Sequence, residues 1–524
     1  MNIVSVGYLG FLAIVFLLYF LVPKGKQKYV LLAASYFYFW TASEKLIVFL
    51  LISTLVVYLS GLVMGRIDEQ TKLKCEGLEK KEKKEIKARD KKKKLYVVLA
   101  SVLINLGLLV ALKYVNFLGS VVNGVFNTNI PSFKLLLPMG ISYYTLQAVS
   151  YSVDVYRGSC KPSKDLAKVA LYLSYFPHII EGPFSRFYDV GEQLCQPHSF
   201  DYSRMKFGLQ LMLWGFFKKM VIADRAAQFV NQAFDVHAEY TGIIIALGVV
   251  LYTVQIYAEF SGCIDIMSGI SQCLGIRLPL NFRQPFFSKS VQEFWQRWHI
   301  TLGLWFKEYI FFPVSCAKPC LKIIGTANKR LPKYLARIIP AALPLFFVWF
   351  ANGIWHGASF KYIFYGLYYY GLMMLGLLFE PVSNKLRTLC KISSEGALYR
   401  LWQMLRTNIL VLLGMMIFRA DSLMGFFRLL KRLFSFRHIE MLFSGEMFYL
   451  GYTSLAEWGV LLFGMLLMFF VDLLHEKNWH LRECLAKQKL WVRWAVYYGV
   501  IIAIMIFGIY GPGYDAQAFI YAGF

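Results

Sequence analysis

Leu343-Pro-Leu-Phe-Phe-Val-Trp-Phe-Ala-Asn-Gly-Ile-Trp-His-Gly357 is apolar for most of a membrane crossing and then ends in Asn352, Trp355 and His356. A second apolar run follows almost at once, from Phe360 to Phe379. His356 is therefore predicted at the end of one transmembrane helix, just ahead of the next. An imidazole at membrane depth is costly to keep unless something uses it, which makes His356 a candidate functional residue. The plainer alternative is a helix-end histidine hydrogen-bonded to a neighbouring carbonyl.

The pattern repeats outward from this stretch. The chain has 524 residues, 58% of them apolar, and its mean hydropathy is +0.50. An ordinary soluble protein is only about half apolar. Runs of about 20 apolar residues recur, the length a helix needs to cross a bilayer. They are continuous rather than alternating, which excludes a barrel and predicts an all-α polytopic membrane protein. The charge pattern gives about eleven to twelve crossings, with both termini outside and re-entrant and interfacial helices besides. Residues 1–524 read as one integral-membrane domain in the plasma (inner) membrane.

The net charge of +25 lies mostly in short loops between apolar runs. That is the mark of cytoplasmic loops facing an anionic leaflet, not of a nucleic-acid surface. The first apolar run, Ile3 to Val22, precedes Lys24, Lys26 and Lys28, the reverse of a cleavable signal. Residues 66–94 are strongly charged, and Glu76/Lys80, Glu79/Lys83 and Glu85/Arg89 are spaced for pairing along a solvated cytoplasmic helix. The nine cysteines contain no paired Cys-x-x-Cys arrangement, so no zinc site is expected and all read as unpaired thiols.

Several membrane-depth polar groups stand out. Asp154 lies near a helix end with Arg157 close by, a spacing that suits a paired interfacial charge. Phe176 to Arg186 holds two prolines, a glycine and Glu181, and reads as a re-entrant segment whose irregular backbone lines a cavity. Glu259 and Asp265 sit in an otherwise apolar run, where an unpaired carboxylate costs about 2.5–3.5 kcal/mol on insertion scales; they are expected to pack inward against polar partners or water. Residues 276–337 form an inner-face segment. Within it Glu293 to Thr301 mixes Trp295, Trp298, Arg297 and His299 and reads as an amphipathic interfacial helix. Ser422 to Phe436 reads the same way. Arg337 inside makes the next span run outward, so His356 falls in the outer half and His299 on the inner side. The glycine-rich aromatic tail, 511–524, is expected to dock on the protein or a partner.

No Walker loop, Gly-x-Gly-x-x-Gly, His-Glu-x-x-His or Gly-x-Ser-x-Gly elbow is present. Histidine as general base remains, with an unperturbed pKa of about 6.5 suited to proton abstraction near neutrality. Such a base needs a substrate that is already activated. A thioester is one, requiring only a deprotonated hydroxyl and stabilisation of the tetrahedral oxyanion.

Gln292-Glu-Phe-Trp-Gln-Arg-Trp-His-Ile-Thr-Leu302 followed by Asn352-Gly-Ile-Trp-His-Gly-Ala358 resembles the paired signature of the membrane-bound O-acyltransferase (MBOAT) superfamily. The similar branch is that of the bacterial alginate O-acetyltransferase membrane subunit, with the D-alanyl-teichoic-acid acyltransferases as cousins. Tyr151 to Gly158, Glu181 to Arg186, Gln255-Ile-Tyr257, Leu280 to Pro285 and Phe418 to Ala420 carry it further. The resemblance implies a ring of helices around a thin centre crossed by a tunnel. It implies His356 as the catalytic histidine and His299 as the second histidine; beside them Asn281, Arg297, Trp298, Asn352, Trp355, Glu259, Asp265 and Asp154 are read as candidate substrate or tunnel residues. No bound cofactor is implied. The donor would be a cytoplasmic acyl thioester, acetyl-coenzyme A or an acyl carrier protein. The acceptor would be a polysaccharide hydroxyl outside, reached directly or through a secreted hydrolase-like partner. D-alanyl transfer to teichoic acid and a non-enzymatic glycan or lipid transporter are the competing readings. The chain departs from the family pattern at Ala258-Glu259, Cys263-Ile264 and Val314-Ser315.

Overall fold

The computed structural model describes residues 2–179, 181–235, 240, 242–435 and 440–510. The tail 511–524 and the end of the Ser422–Phe436 stretch lie outside these residues. Among them the regular structure is helical, with a single isolated bridge between Phe282 and Trp298. This is an all-α polytopic membrane protein. Among the described residues, eight stretches are long and apolar enough to cross a membrane, or nine if the bent pair Ile300–Ser315 and Lys318–Arg330 is one broken span. One of the eight, Lys24–Cys75, itself holds two helices, Gln27–Ser43 and Ile47–Cys75. The apolar first helix, Val6–Leu21, is shorter, at 16 residues.

The chain divides into two compact units, Met1–Met212 with Met267–Pro279, and Leu213–Ile266 with Leu280–Phe524. In the first, the charged 66–94 run is not a separate element. It extends two membrane helices, Ile47–Cys75 and Lys80–Leu109, past their apolar parts. Its polar contacts run both between the two helices and along one of them. Lys94 Nζ meets Asp68 at 2.7 Å, Thr71 donates to Asp90 at 2.9 Å, and Lys93 lies 3.4 Å from Asp90. Asp90 and Lys94 are buried while most neighbouring charges are exposed. Neither contact between the helices, Lys94 to Asp68 or Thr71 to Asp90, follows from spacing along one helix. Deeper down, the helix Lys80–Leu109 meets Ile141–Arg157 through Ser101 and Ser152, 2.9 Å apart, and Asn105 donates to the Ser101 carbonyl at 2.8 Å. Small polar side chains of this kind join helices where water is absent.

The apolar run Leu135–Tyr156 turns helical only at Ile141. Its helix is Ile141–Arg157, and every residue from Ile141 to Ser152 is buried. A helix buried on all sides needs no polar face, which is why its sequence resembles a lipid-facing one. Asp154 belongs to this helix and is buried. Phe176–Arg186 is irregular as expected. A short turn at Phe176–Ile179 gives way to non-helical backbone, His178 Nε2 lies 3.2 Å from Ser185 Oγ, and the Phe176 amide donates to Ser35 Oγ at 3.1 Å.

The helix Tyr202–Phe216, whose residues from Leu213 onward open the second unit, runs through a π-helical stretch, Phe217–Ala223, into Asp224–Asp235. It touches the long helix Gly242–Leu274 backbone to backbone. A Cβ on Gly215 would lie 2.5 Å from the Gly262 carbonyl oxygen. That contact brings two lysines onto the carboxylates of the long helix. Lys219 Nζ meets Glu259 at 2.9 Å and Asp224 at 2.7 Å, all three buried. Lys218 Nζ meets Asp265 at 2.7 Å and Ser261 at 2.8 Å. Glu259 and Asp265 are thus held inside by lysines about forty positions earlier in the chain. Removing one partner of such a buried network costs about 3–5 kcal/mol, because it strands the other charge. Lys219→Met is expected to lower the melting temperature of the detergent-solubilised protein sharply, and Lys219→Met with Glu259→Gln should recover part of that loss in the same thermal-shift measurement.

Candidate active site

The site is built from two joints in the second unit. The first is the segment Leu280–Thr301. Ser290 Oγ accepts the Glu293 amide at 3.1 Å and starts the helix Val291–Arg297. The helix stops at Trp298, which is extended, and His299 takes a left-handed conformation, φ 49° and ψ 49°. A new helix, Ile300–Phe306, then begins. The continuous amphipathic helix expected over Glu293–Thr301 is therefore corrected to two short helices with His299 at the break. A left-handed non-glycine residue costs about 1–3 kcal/mol and persists only where its surroundings enforce it. Here an extended neighbour does so. The Arg283 amide donates to the Arg297 carbonyl at 2.9 Å, and the Ile300 amide to the Asn281 carbonyl at 3.0 Å. The Asn281 side chain completes the joint. Its Oδ1 accepts from the Thr301 amide at 3.1 Å and the Thr301 hydroxyl at 2.8 Å, and lies 3.2 Å from His299 Nδ1.

The second joint is the hairpin of Lys333–His356 and Phe360–Leu389. Its helices meet through glycines. A Cβ on Gly353 would lie 2.4 Å from the Tyr362 carbonyl oxygen, and one on Gly366 2.2 Å from that of Trp349. His356 is the last residue of its helix and is buried. Its ring packs against Trp355, Phe418 and Tyr365, at centroid distances of 4.9, 5.2 and 5.7 Å.

Both joints open on one cavity of about 60 Å³. His299, His356, Asn352, Trp295, Trp298 and Tyr365 line it, with Leu302, Gly303, Phe306 and other apolar residues closing the walls. Loop charges assign the histidines to opposite sides of the membrane; the structure instead makes them neighbours on one cavity. The Trp355 ring lies 6.0 Å from that of His299 and 4.9 Å from that of His356, so it is a ring neighbour of both. Asn352 Oδ1 and Trp295 Nε1 are shielded from solvent and have no hydrogen-bond partner among the described residues. Buried polar groups without partners are rare, and in a cavity wall they mark room for a polar ligand.

The remaining sequence candidates stand back from the cavity. Arg297 forms ion pairs with Glu293 and Glu476, each at 2.7 Å, and braces the broken helix. Glu259 and Asp265 belong to the lysine network, and Asp154 to the first unit. Three contributors stand outside the candidate site residues, although Tyr257 and Trp295 lie within motifs that carry the resemblance. Phe260 sets its ring edge-on to His299 at 4.8 Å. Tyr257 donates to Asp472 at 2.7 Å while its ring packs on Trp298 at 5.9 Å. Trp295, wedged edge-on against Tyr369 at 4.8 Å and Trp349 at 5.1 Å, reads in sequence as part of an interfacial aromatic run.

A membrane-embedded, largely apolar cavity carrying two imidazoles is equipped for acid–base chemistry on a small substrate. Comparison with known proteins makes this specific. Residues 162–323 match the membrane-bound O-acyltransferase family. The chain is 31% identical over 438 residues to the probable alginate O-acetylase AlgI of Pseudomonas aeruginosa, covering 81% of this chain and 73% of that one. It is 30% identical over 301 residues to the peptidoglycan O-acetyltransferase of Helicobacter pylori, covering 52% and 54%. It is 28% identical over 265 residues to the teichoic acid D-alanyltransferase of Bacillus subtilis, covering 49% and 64%. The chain is a multi-pass membrane acyltransferase. The chain belongs to the membrane-bound O-acyltransferase family. The family match includes His299 and ends before His356, but an alignment over 81% of the chain cannot avoid its centre and so includes both.

The hairpin gives a direct check. Overfilling a packed contact costs typically about 1–3 kcal/mol. Gly366→Val should therefore lower both melting temperature and activity, whereas Gly371→Val, on the same helix with nothing within 4 Å of its added Cβ, should leave both unchanged.

Proposed function

We propose that the protein transfers a small acyl group, acetyl above all, from a cytoplasmic thioester to a hydroxyl outside the plasma (inner) membrane. The product would be an O-acylated cell-surface or secreted polysaccharide. The observation that carries this is the placing of His356 and His299 on one small, mostly apolar cavity. His356 takes the proton of the acceptor hydroxyl, and the freed oxygen bonds to the acyl carbon. The tetrahedral intermediate then collapses as the carbon–sulfur bond breaks, its electron pair going to sulfur. The thiolate takes the proton back from His356. A positioned base of this kind contributes about 10² to 10⁴ in rate.

Cavity size supports a short acyl group. About 10–15 Å³ in this measure holds one water, so about 60 Å³ suits two or three carbons and an attacking oxygen. The relatives named for O-acetylation point the same way. Acetyl-coenzyme A and an acyl carrier protein both present such a thioester. The acceptor is reached directly or through a secreted hydrolase-like partner. Relatives named as teichoic acid D-alanyltransferases favour a second reading, D-alanyl transfer from a carrier protein. Membership in an acyltransferase family removes the support for a transporter without chemistry.

Membranes carrying the protein, given labelled acetyl-coenzyme A and the cell-envelope acceptor fraction, should label the acceptor. His356→Ala should reduce this at least about hundred-fold. Full transfer by the variant refutes the mechanism, and transfer from D-alanyl carrier protein alone selects the second reading. A further expectation concerns the walls. A Cβ on Gly303 meets nothing nearer than the Trp295 carbonyl at 3.8 Å, so Gly303→Val should fold normally while narrowing the cavity. Its kcat/KM should fall more for propionyl than for acetyl thioester in a competition assay.

A further inference from the structure

The protein chooses which nitrogen of His299 faces the chemistry. The Thr301 backbone N–H can only donate, so the Asn281 atom it meets at 3.1 Å is the amide oxygen, not a flipped nitrogen. That oxygen also accepts from the Thr301 hydroxyl at 2.8 Å. An amide oxygen has no proton to give. His299 Nδ1, 3.2 Å away, must therefore carry the hydrogen of the bond between them. In a neutral imidazole only one nitrogen is protonated, which leaves the lone pair on Nε2.

We infer that Asn281 and Thr301 are positioning residues that hold neutral His299 as its Nδ1–H tautomer and so present Nε2 to the cavity as a proton-accepting nitrogen. The use of that nitrogen rests on the acyl-transfer reading; the tautomer does not. In this form His299 enters the reaction by accepting a hydrogen bond or a proton at Nε2, and it gives a proton back only after receiving one. The break in the helix serves the same end. Because His299 is left-handed between Trp298 and Ile300, its ring turns back toward Asn281 instead of following a helix face.

Few charges compete for this nitrogen. His356 and Tyr365 line the same cavity. On the long helix behind Phe260, Glu259 is engaged by Lys219 and Asp265 by Lys218. Arg297, two residues before His299, is engaged by Glu293 and Glu476. Arg283 lies on the extended strand beside Arg297, and Lys307 and Glu308 follow the helix that His299 caps. Tyr257 is bonded to Asp472.

Two measurements test this on the full-length protein in lipid. Selective ¹⁵N labelling of the eight histidines, with His299→Gln to assign the signal, reads the tautomer without substrate. Wild type should show a protonated Nδ1 and an unprotonated Nε2 at His299, and Asn281→Ala should shift toward the Nε2–H form favoured in water. A protonated Nε2 in wild type, or an unchanged signal in Asn281→Ala, overturns the inference. The second readout is the pH profile of transfer from labelled acetyl-coenzyme A. Asn281→Asp keeps the accepting oxygen but adds negative charge, which favours the imidazolium. A nitrogen that must be unprotonated to act then needs a higher pH. The acid limb should move up by about one unit, ten-fold in the protonation equilibrium, with the rate recovering in alkali. An equal loss at every pH makes Asn281 merely structural and overturns its assignment. Wild type that transfers nothing from the thioester yet shows the Nδ1–H signal refutes the donor reading alone and leaves the positioning role supported.

Discussion

A polar atom placed at membrane depth must find its partner inside the protein, and most of this structure follows from that constraint. Lys219 is tolerable because two carboxylates reach it, and those carboxylates because Lys219 reaches them. The glycine contact between Gly215 and Gly262 brings the two backbones close enough for this to happen. Asn105 and Ser101 solve the same problem with neutral groups on the first unit's seam. Asn281 solves it at the site, where one carbonyl oxygen serves three donors and thereby fixes a chain break, a helix start and an imidazole.

What the sequence makes legible is local. Continuous apolar runs announce spanning helices, and an imidazole at the end of one announces a site, because each statement needs only neighbouring residues. Glu259 and Asp265 can be recognised as needing partners, but the partners cannot be named. Lys218 and Lys219 lie in a run that reads as another apolar span, and only a glycine-to-glycine crossing brings them into register. The charged run at 66–94 shows the reverse failure. Its i,i+4 spacings are real, yet Asp68–Lys94 forms across two helices, where Lys94 is buried against the neighbouring helix.

The helix break at His299 was hidden by a different cause. Nothing in Glu293–Thr301 breaks a helix: it holds neither glycine nor proline, and its periodicity is amphipathic. The break comes from Asn281, eighteen positions earlier, whose backbone and side chain together capture the first turn after His299. Tertiary hydrogen bonds override a modest helical preference when several act on one residue, since each contributes about 0.5–1.5 kcal/mol.

The two histidines are consequently mounted in different ways. His356 ends a helix anchored by a close-packed glycine hairpin, and aromatic rings set the plane of its imidazole. His299 sits at a strained joint where an amide oxygen dictates which nitrogen holds the proton. Two imidazoles on one cavity could otherwise exchange roles freely, since their intrinsic proton affinities are the same. Fixing the tautomer of one removes that symmetry before substrate arrives. An acyl transfer that needs a single direction of proton flow gains from such an arrangement, because the resting protein then offers the cavity one defined proton-accepting nitrogen from His299 rather than a mixture of two forms.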